Sequence, residues 1–205
     1  MRADMNPENK NLTPRERIMA RVRANHPQPT AHPEVPIYPI AGDTLENFIT
    51  HVKGFDGEII NTTDRAEALR WLHENVSTQG KEAVFSAINE FEGNITLEEL
   101  PRPSDAHRLH ACVGEGLLGI GETGSVLVTP ETFGRMANGL LAINLYLLLD
   151  RKKIVAGLQE AYSHINLSET QYSSLFSGPS ATADIEAVHV TGAQGAVSLT
   201  VILYG

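Results

Sequence analysis

The sequence predicts an α/β domain with a largely parallel sheet, on three observations. Apolar stretches of strand character alternate with stretches of helical spacing, as in βα units. Residues 140–149, Leu-Leu-Ala-Ile-Asn-Leu-Tyr-Leu-Leu-Leu, form a near-continuous apolar run of the kind carried by a strand covered on both faces. Gly114 to Val128 places five glycines (Gly114, Gly116, Gly119, Gly121, Gly124) ahead of an apolar, β-branched run. Glycine serves where backbone must turn with positive φ or approach another group closely. That stretch therefore reads as strand, tight turn, strand, with Glu122 and Thr123 held at the turn.

The elements follow in order. Thr13, Pro14 and Glu16 start a helix over residues 13–24, with Ile18, Met19 and Val22 on a narrow apolar face among four arginines. The Pro-rich stretch from His26 to Pro39 reads as an extended linker. Residues 1–40 are thus an arm, compatible with self-association by packing on a neighbour, and 41–205 form the compact domain. Asp43 and Glu46 cap a helix with Leu45, Phe48, Ile49 and Val52 inward. Glu58 to Asn61 is a strand. Thr63 and Asp64 open a helix that faces inward through Leu69, Leu72 and Val76, and Ala83 to Ile88 reads as a strand. His107 to Ala111 reads as a short helix, and Phe133 to Asn138 as another. Asp150 is expected to cap an amphipathic helix through Ile154, Val155, Leu158, Ala161, Tyr162 and Ile165. Ser173 to Ser177 is a strand, Ser180 starts a helix, and Ser198 to Tyr204 is the final strand.

Composition narrows the function. The formal net charge of −9 argues against a general nucleic-acid binder, which depends on basic surface. The hydrophobic share of 41% supports a real core, and no apolar run reaches the roughly 18 residues of a membrane span. The polar start, Met1 to Asn6, lacks the apolar core of a signal peptide, so a soluble, cytoplasmic protein is expected. A single cysteine, Cys112, excludes internal disulfides and any iron–sulfur cluster ligated by cysteines of this chain alone. No cofactor is expected on this chain. His107, His110 and Cys112 fall short of a metal ligand set with its supporting shell, so no metal is expected either.

Two loops could carry chemistry. Gly119 to Gly124 formally matches G-x-G-x-x-G, but a dinucleotide site needs a helix directly afterwards, and Ser125-Val126-Leu127-Val128 favours a strand. No Gly-Lys-Ser or Gly-Lys-Thr occurs, so a Walker phosphate loop is excluded. The second loop runs Ser177-Gly178-Pro179-Ser180-Ala181-Thr182-Ala183-Asp184. As strand end, glycine turn and Ser-capped helix, it would present backbone N–H groups and the hydroxyls of Ser180 and Thr182 to a small anion. The plainer reading is a well-capped helix, with Asp184 favouring its dipole. Both loops are expected at the carboxyl ends of strands, where open α/β sheets keep ligands. The candidate residues are Glu122 as a catalytic acid or base, with Thr123, Gly124, Ser177, Gly178, Ser180, Thr182 and Asp184 as ligand-binding residues. Glu122 and Ser180 are expected to face one cleft.

These loops, with Gly192-Ala193-Gln194-Gly195 and Val201-Ile202-Leu203, resemble the LUD-domain family, lactate utilization protein C type, over about residues 40–205 (motif order, within the usual boundary error). The resemblance implies the three-layer α/β/α fold of glucosamine-6-phosphate deaminase, ribose-5-phosphate isomerase and CoA transferases. It also implies an accessory role in oxidising L-lactate to pyruvate beside iron–sulfur partner proteins. Against the family pattern, this chain has Ala181 for an arginine, Gln194 and Ala196 for a histidine and a proline, Thr200 for a histidine, and no histidine near Asn144. A lost arginine removes a bidentate carboxylate clamp, and lost histidines remove proton carriers. The chain therefore reads as a diverged member. The alternatives are a non-catalytic ligand-binding protein on the same scaffold, or a transferase or isomerase using Glu122, the last by fold analogy alone.

Overall fold

A computed structural model describes residues 12–28, 30, 31, 33, 36, 38–76, 78–165 and 172–205. Contacts divide the chain into Met1–Pro36 and Ile37–Gly205. In the first unit, helix α1 (Pro14–Ala24) starts where the Thr13–Glu16 pair predicts. Thr13 N–H donates to Glu16 Oε2 at 2.7 Å, and Glu16 N–H donates to Thr13 Oγ1 at 3.3 Å.

The second unit runs α2 (Thr44–Gly54), β1 (Glu58–Asn61), α3 (Arg65–Asn75), β2 (Ala83–Ser86), β3 (Leu109–Glu115), β4 (Leu118–Ile120), β5 (Ser125–Val128), α4 (Met136–Leu141), β6 (Asn144–Asp150), β7 (Ile154–Val155), α5 (Leu158–Ser163), β8 (Ser174–Phe176), β9 (Ala181–Ile185), β10 (Val188–Thr191) and β11 (Ser198–Tyr204). Five strands in the order β1-β11-β6-β3-β2 make an all-parallel sheet. Its inner strands β11, β6 and β3 are buried on both faces, and the long apolar runs of β6 and β11 fit that double covering. Leu145, Leu147 and Leu149 face one side with Phe48 and Val52 of α2 and Val126 and Val128 of β5. Leu148 and Ile202 face the other with Ala68 and Leu72 of α3. Helices on both faces give the three-layer α/β/α arrangement. A second sheet, β7-β4-β5-β8, belongs to the α2 side, and α5 packs on it through Ala161 and Leu158.

Several local readings are corrected. The expected helix from Asp150 is a 3-10 turn, Arg151–Lys153, followed by β7 and then by the short α5. Ile154 and Val155 pair in parallel with Gly119 and Ile120, and this tertiary pairing overrides their helical spacing. Leu140 and Leu141 end α4, so the apolar strand starts only at Asn144. The expected helix around Phe133 to Asn138 is a 3-10 turn, Pro130–Phe133, with α4 opening at Met136. His107 lies in a 3-10 turn (Pro103–Arg108) and His110 lies on β3, so they share no helix face. No helix follows Ser180, because residues 181–185 form β9 and hydrogen-bond with β10 as an antiparallel hairpin.

At the carboxyl edge of the parallel sheet, Arg65 Nη1 lies 2.8 Å from Glu115 Oε2 and its Nε lies 3.0 Å from Glu90 Oε1. Tyr204 Oη donates to Glu115 Oε1 at 2.6 Å and accepts from Arg65 Nη1 at 3.0 Å. Burial, and then the bond to Glu115, push the Tyr204 phenol from 10.0 up to about 12. The folded state therefore keeps a proton that the unfolded chain loses first. This stability is fully present below about pH 10 and is lost as pH rises toward 12. Urea midpoints of the wild type are expected to fall across that window, and Tyr204→Phe should flatten the fall. An equal slope in both proteins would remove Tyr204 as the cause.

Candidate functional site

The β4–β5 turn is where the glycines predicted it. Gly121 O lies 2.9 Å from His51 Nδ1, and Gly124, at φ +63°, rests on the backbone of α2. Glu122 is exposed, and its Oε2 accepts the Leu158 N–H at 2.9 Å, capping α5. Glu122 borders a cavity of about 450 Å³ with Tyr38, Ile40, Gly157 and Glu160. Thr123 turns the other way. Its Oγ1 lies 2.7 Å from Ser125 Oγ, which lies 2.7 Å from Ser177 Oγ, a hydroxyl chain running from the turn to the end of β8.

A larger cavity, of about 660 Å³, opens beside Ser177 and Ser180. Its walls come from Phe55 and Asp56 after α2, Gly139 and Leu140 of α4, Leu145 of β6, and Leu175 and Phe176 of β8. The segment Ser177 to Ala181, His189 of the hairpin, and Gln194 to Ala196 complete it. Asp56, Leu145 and Ala196 stand at or before the starts of β1, β6 and β11, so this cavity lies at the amino edge of the parallel sheet. That corrects the expectation of carboxyl ends. Strand β8 runs antiparallel to β5 in the second sheet, so its own carboxyl end does not mark the carboxyl edge of the first.

Of the sequence candidates, Ser177, Gly178 and Ser180 line this cavity. Glu122, Thr123 and Gly124 are not among its lining residues, and neither are Thr182 and Asp184 on β9, where Asp184 is exposed and its N–H donates to Thr182 Oγ1 at 3.2 Å. The expectation of one cleft shared by Glu122 and Ser180 is therefore overturned: they border different cavities. The anion cradle expected at a helix start is not built either. Ser180 N–H donates to Ala196 O at 2.8 Å, and Ser180 O accepts the Gly192 N–H at 2.6 Å, closing the stem of the hairpin.

The cavity offers two hydroxyls, the Gln194 amide, the His189 imidazole and one carboxylate, Asp56, against aromatic and aliphatic walls. Among the described residues that line it there is no lysine or arginine. Phe55 and Asp56 escaped sequence reasoning. Their only signal is the turn before Gly57, where Asp56 adopts φ +59°. Among the described residues no three His, Cys, Asp or Glu side chains converge as metal ligands. Cys112 is fully buried, and burial pushes its thiol well above the usual range, so it is no nucleophile. The positions at which the resemblance implies another residue do not all share this cavity. Ala181, Gln194 and Ala196 line the cavity. Thr200 is paired in register with Tyr146, whose ring meets Trp71 of α3, so Thr200 faces the opposite layer. There Thr200 Oγ1 donates to Glu58 Oε2 at 3.2 Å, while Asn144 Oδ1 accepts from Ser198 Oγ at 2.8 Å.

As a cap rather than a reacting group, Glu122 gives a definite expectation. Glu122→Ala should cost about 1 kcal/mol of stability, the ordinary cost of a lost cap, and leave the larger cavity intact. A stability change near zero, by thermal or urea unfolding, would show that the bond to Leu158 contributes nothing.

The family model described as LUD domain matches residues 102–204, half of the chain. A crystal structure of a DUF162 family protein from Deinococcus radiodurans is similar with a TM-score of 0.58 at 16% identity, covering 79% of this chain and 96% of that one. At that identity the likeness concerns the fold alone. No curated protein matches. Among the described residues no helix is long and apolar enough to cross a membrane.

Proposed function

This chain belongs to the LUD-domain family, and from that membership we propose that it serves lactate utilization as a binding subunit. The oxidation of L-lactate to pyruvate then belongs to iron–sulfur partner proteins. This chain contributes a ligand pocket beside Ser177 and Ser180, or a docking surface around it. One observation carries the reading. The cavity has hydrogen-bonding groups and apolar walls, while the acid expected to react, Glu122, is bonded to Leu158 N–H outside it. Hydride or proton abstraction from a hydroxyacid needs a base within reach of the substrate. Among the described residues of the cavity only His189 and Asp56 could serve as one, and none is a lysine or arginine that would clamp a carboxylate.

The reading is tested in the producing strain and with purified protein. A strain lacking the chain is expected to grow poorly on L-lactate, and Ala181→Trp, which adds a bulky ring at an exposed position of the cavity wall, should fail to restore growth. Unimpaired growth of the deletion strain would end the lactate reading. Purified chain alone should not oxidise L-lactate with an artificial electron acceptor. Turnover that disappears in Glu122→Gln would replace the binding role with a catalytic one.

A further inference from the structure

Resting on the cavity beside Ser177 and Ser180 as the binding site, we infer that its ligand is an uncharged organic molecule with an apolar body and hydrogen-bonding edges, rather than a free carboxylate or phosphate. The charge balance of the walls carries this. Asp56 is the one charged side chain among the described lining residues, and it is negative. An anion entering would give up part of its hydration, meet a like charge and find no lysine or arginine among the described lining residues to compensate. The backbone donor that would have served it is taken, since Ser180 N–H is bonded to Ala196 O at 2.8 Å.

The remaining chemistry suits a neutral ligand. Phe55, Phe176, Leu140, Leu145, Leu175 and Ala196 supply apolar wall, and a cavity of about 660 Å³ lies in the range that takes a drug-sized molecule. A three-carbon acid would leave most of that volume unfilled. The Ser177 hydroxyl is held in the Ser125–Thr123 hydroxyl chain, two contacts of 2.7 Å each in which either atom can donate, so Ser177 can offer a ligand edge a donor or an acceptor. Gln194 adds an amide that both donates and accepts.

The test uses the full chain and two probes of one shape, naphthalene-2-carboxamide and naphthalene-2-carboxylate, titrated by calorimetry at pH 8 and low salt, with L-lactate and inorganic phosphate as small anions. The carboxamide is expected to bind more tightly than the carboxylate, on the order of tenfold, because the carboxylate loses hydration beside Asp56 without a compensating cation. Ala181→Arg should narrow or reverse that preference by supplying the missing cation. Ala181→Trp and Gln194→Trp, at two exposed positions on the cavity wall, should each weaken carboxamide binding. Carboxylate, lactate or phosphate binding as tight as the carboxamide, and lost in the tryptophan variants, would overturn the charge inference and leave the pocket standing. No binding of either aromatic probe, or binding that both tryptophan variants leave unchanged, would overturn the pocket and this inference together.

Discussion

Gly124→Ala is expected to lower stability by about 3 kcal/mol, the largest effect of any single methyl group added near the β4–β5 turn. Two costs add. Gly124 holds φ +63°, where a residue with a Cβ loses about 1 kcal/mol or more. That Cβ would also lie 2.5 Å from Val52 N and 2.8 Å from His51 C, in the backbone of α2, which cannot rotate away. Overpacking of that kind costs typically about 1–3 kcal/mol. Urea midpoints of the wild type and variant measure the sum. An unchanged midpoint would mean that the turn is not seated on α2. The sequence marks Gly124 as a ligand contact, whereas the structure makes it the point where the hairpin meets the helix.

Phe133→Ala should cost about 3–5 kcal/mol, the range for a buried phenylalanine cut to alanine, and should also loosen the proposed pocket. Phe133 is fully buried, and its ring stacks on Phe176 with centroids 6.0 Å apart and planes inclined by 28°. Phe176 and Gly139 are both pocket walls. Gly139 presses so closely that a Cβ there would lie 2.5 Å from Phe133 Cε2, so the ring fills the space directly behind the wall. Removing it leaves a void that Phe176 can enter. The midpoint shift reports the cavity cost, and weakened binding of the carboxamide probe reports the wall. A shift under about 1 kcal/mol would show that the site collapses without penalty.

Legibility followed the range of the interactions. The caps at Thr13, Asp43 and Asp64 were readable because each is completed within three residues. Asp43 Oδ1 accepts Glu46 N–H at 2.9 Å, and Asp64 Oδ1 accepts Glu67 N–H at 2.8 Å. The glycine-hinged turn at Gly121–Gly124 was readable for the same reason. Misreadings occurred where strand pairing overrides a helical pattern, at long range for β7 and within a hairpin for β9. Ile154 and Val155 carry helical spacing but pair with β4, and the stretch after Ser180 carries a helix-start pattern but pairs with β10.

The sequence by itself determined the α/β class with a largely parallel sheet and the glycine turn between β4 and β5, because apolar runs and glycine turns act on their own neighbours. Only the tertiary structure decided that the loops part company: Glu122 is tied to Leu158 by a bond across 36 positions of chain, and Ser177 and Ser180 join Phe55 and Leu145 around another cavity. Which strand edge a segment pairs with, and hence which side chains share a space, is settled by burial summed over the whole sheet. No stretch of sequence carries that sum.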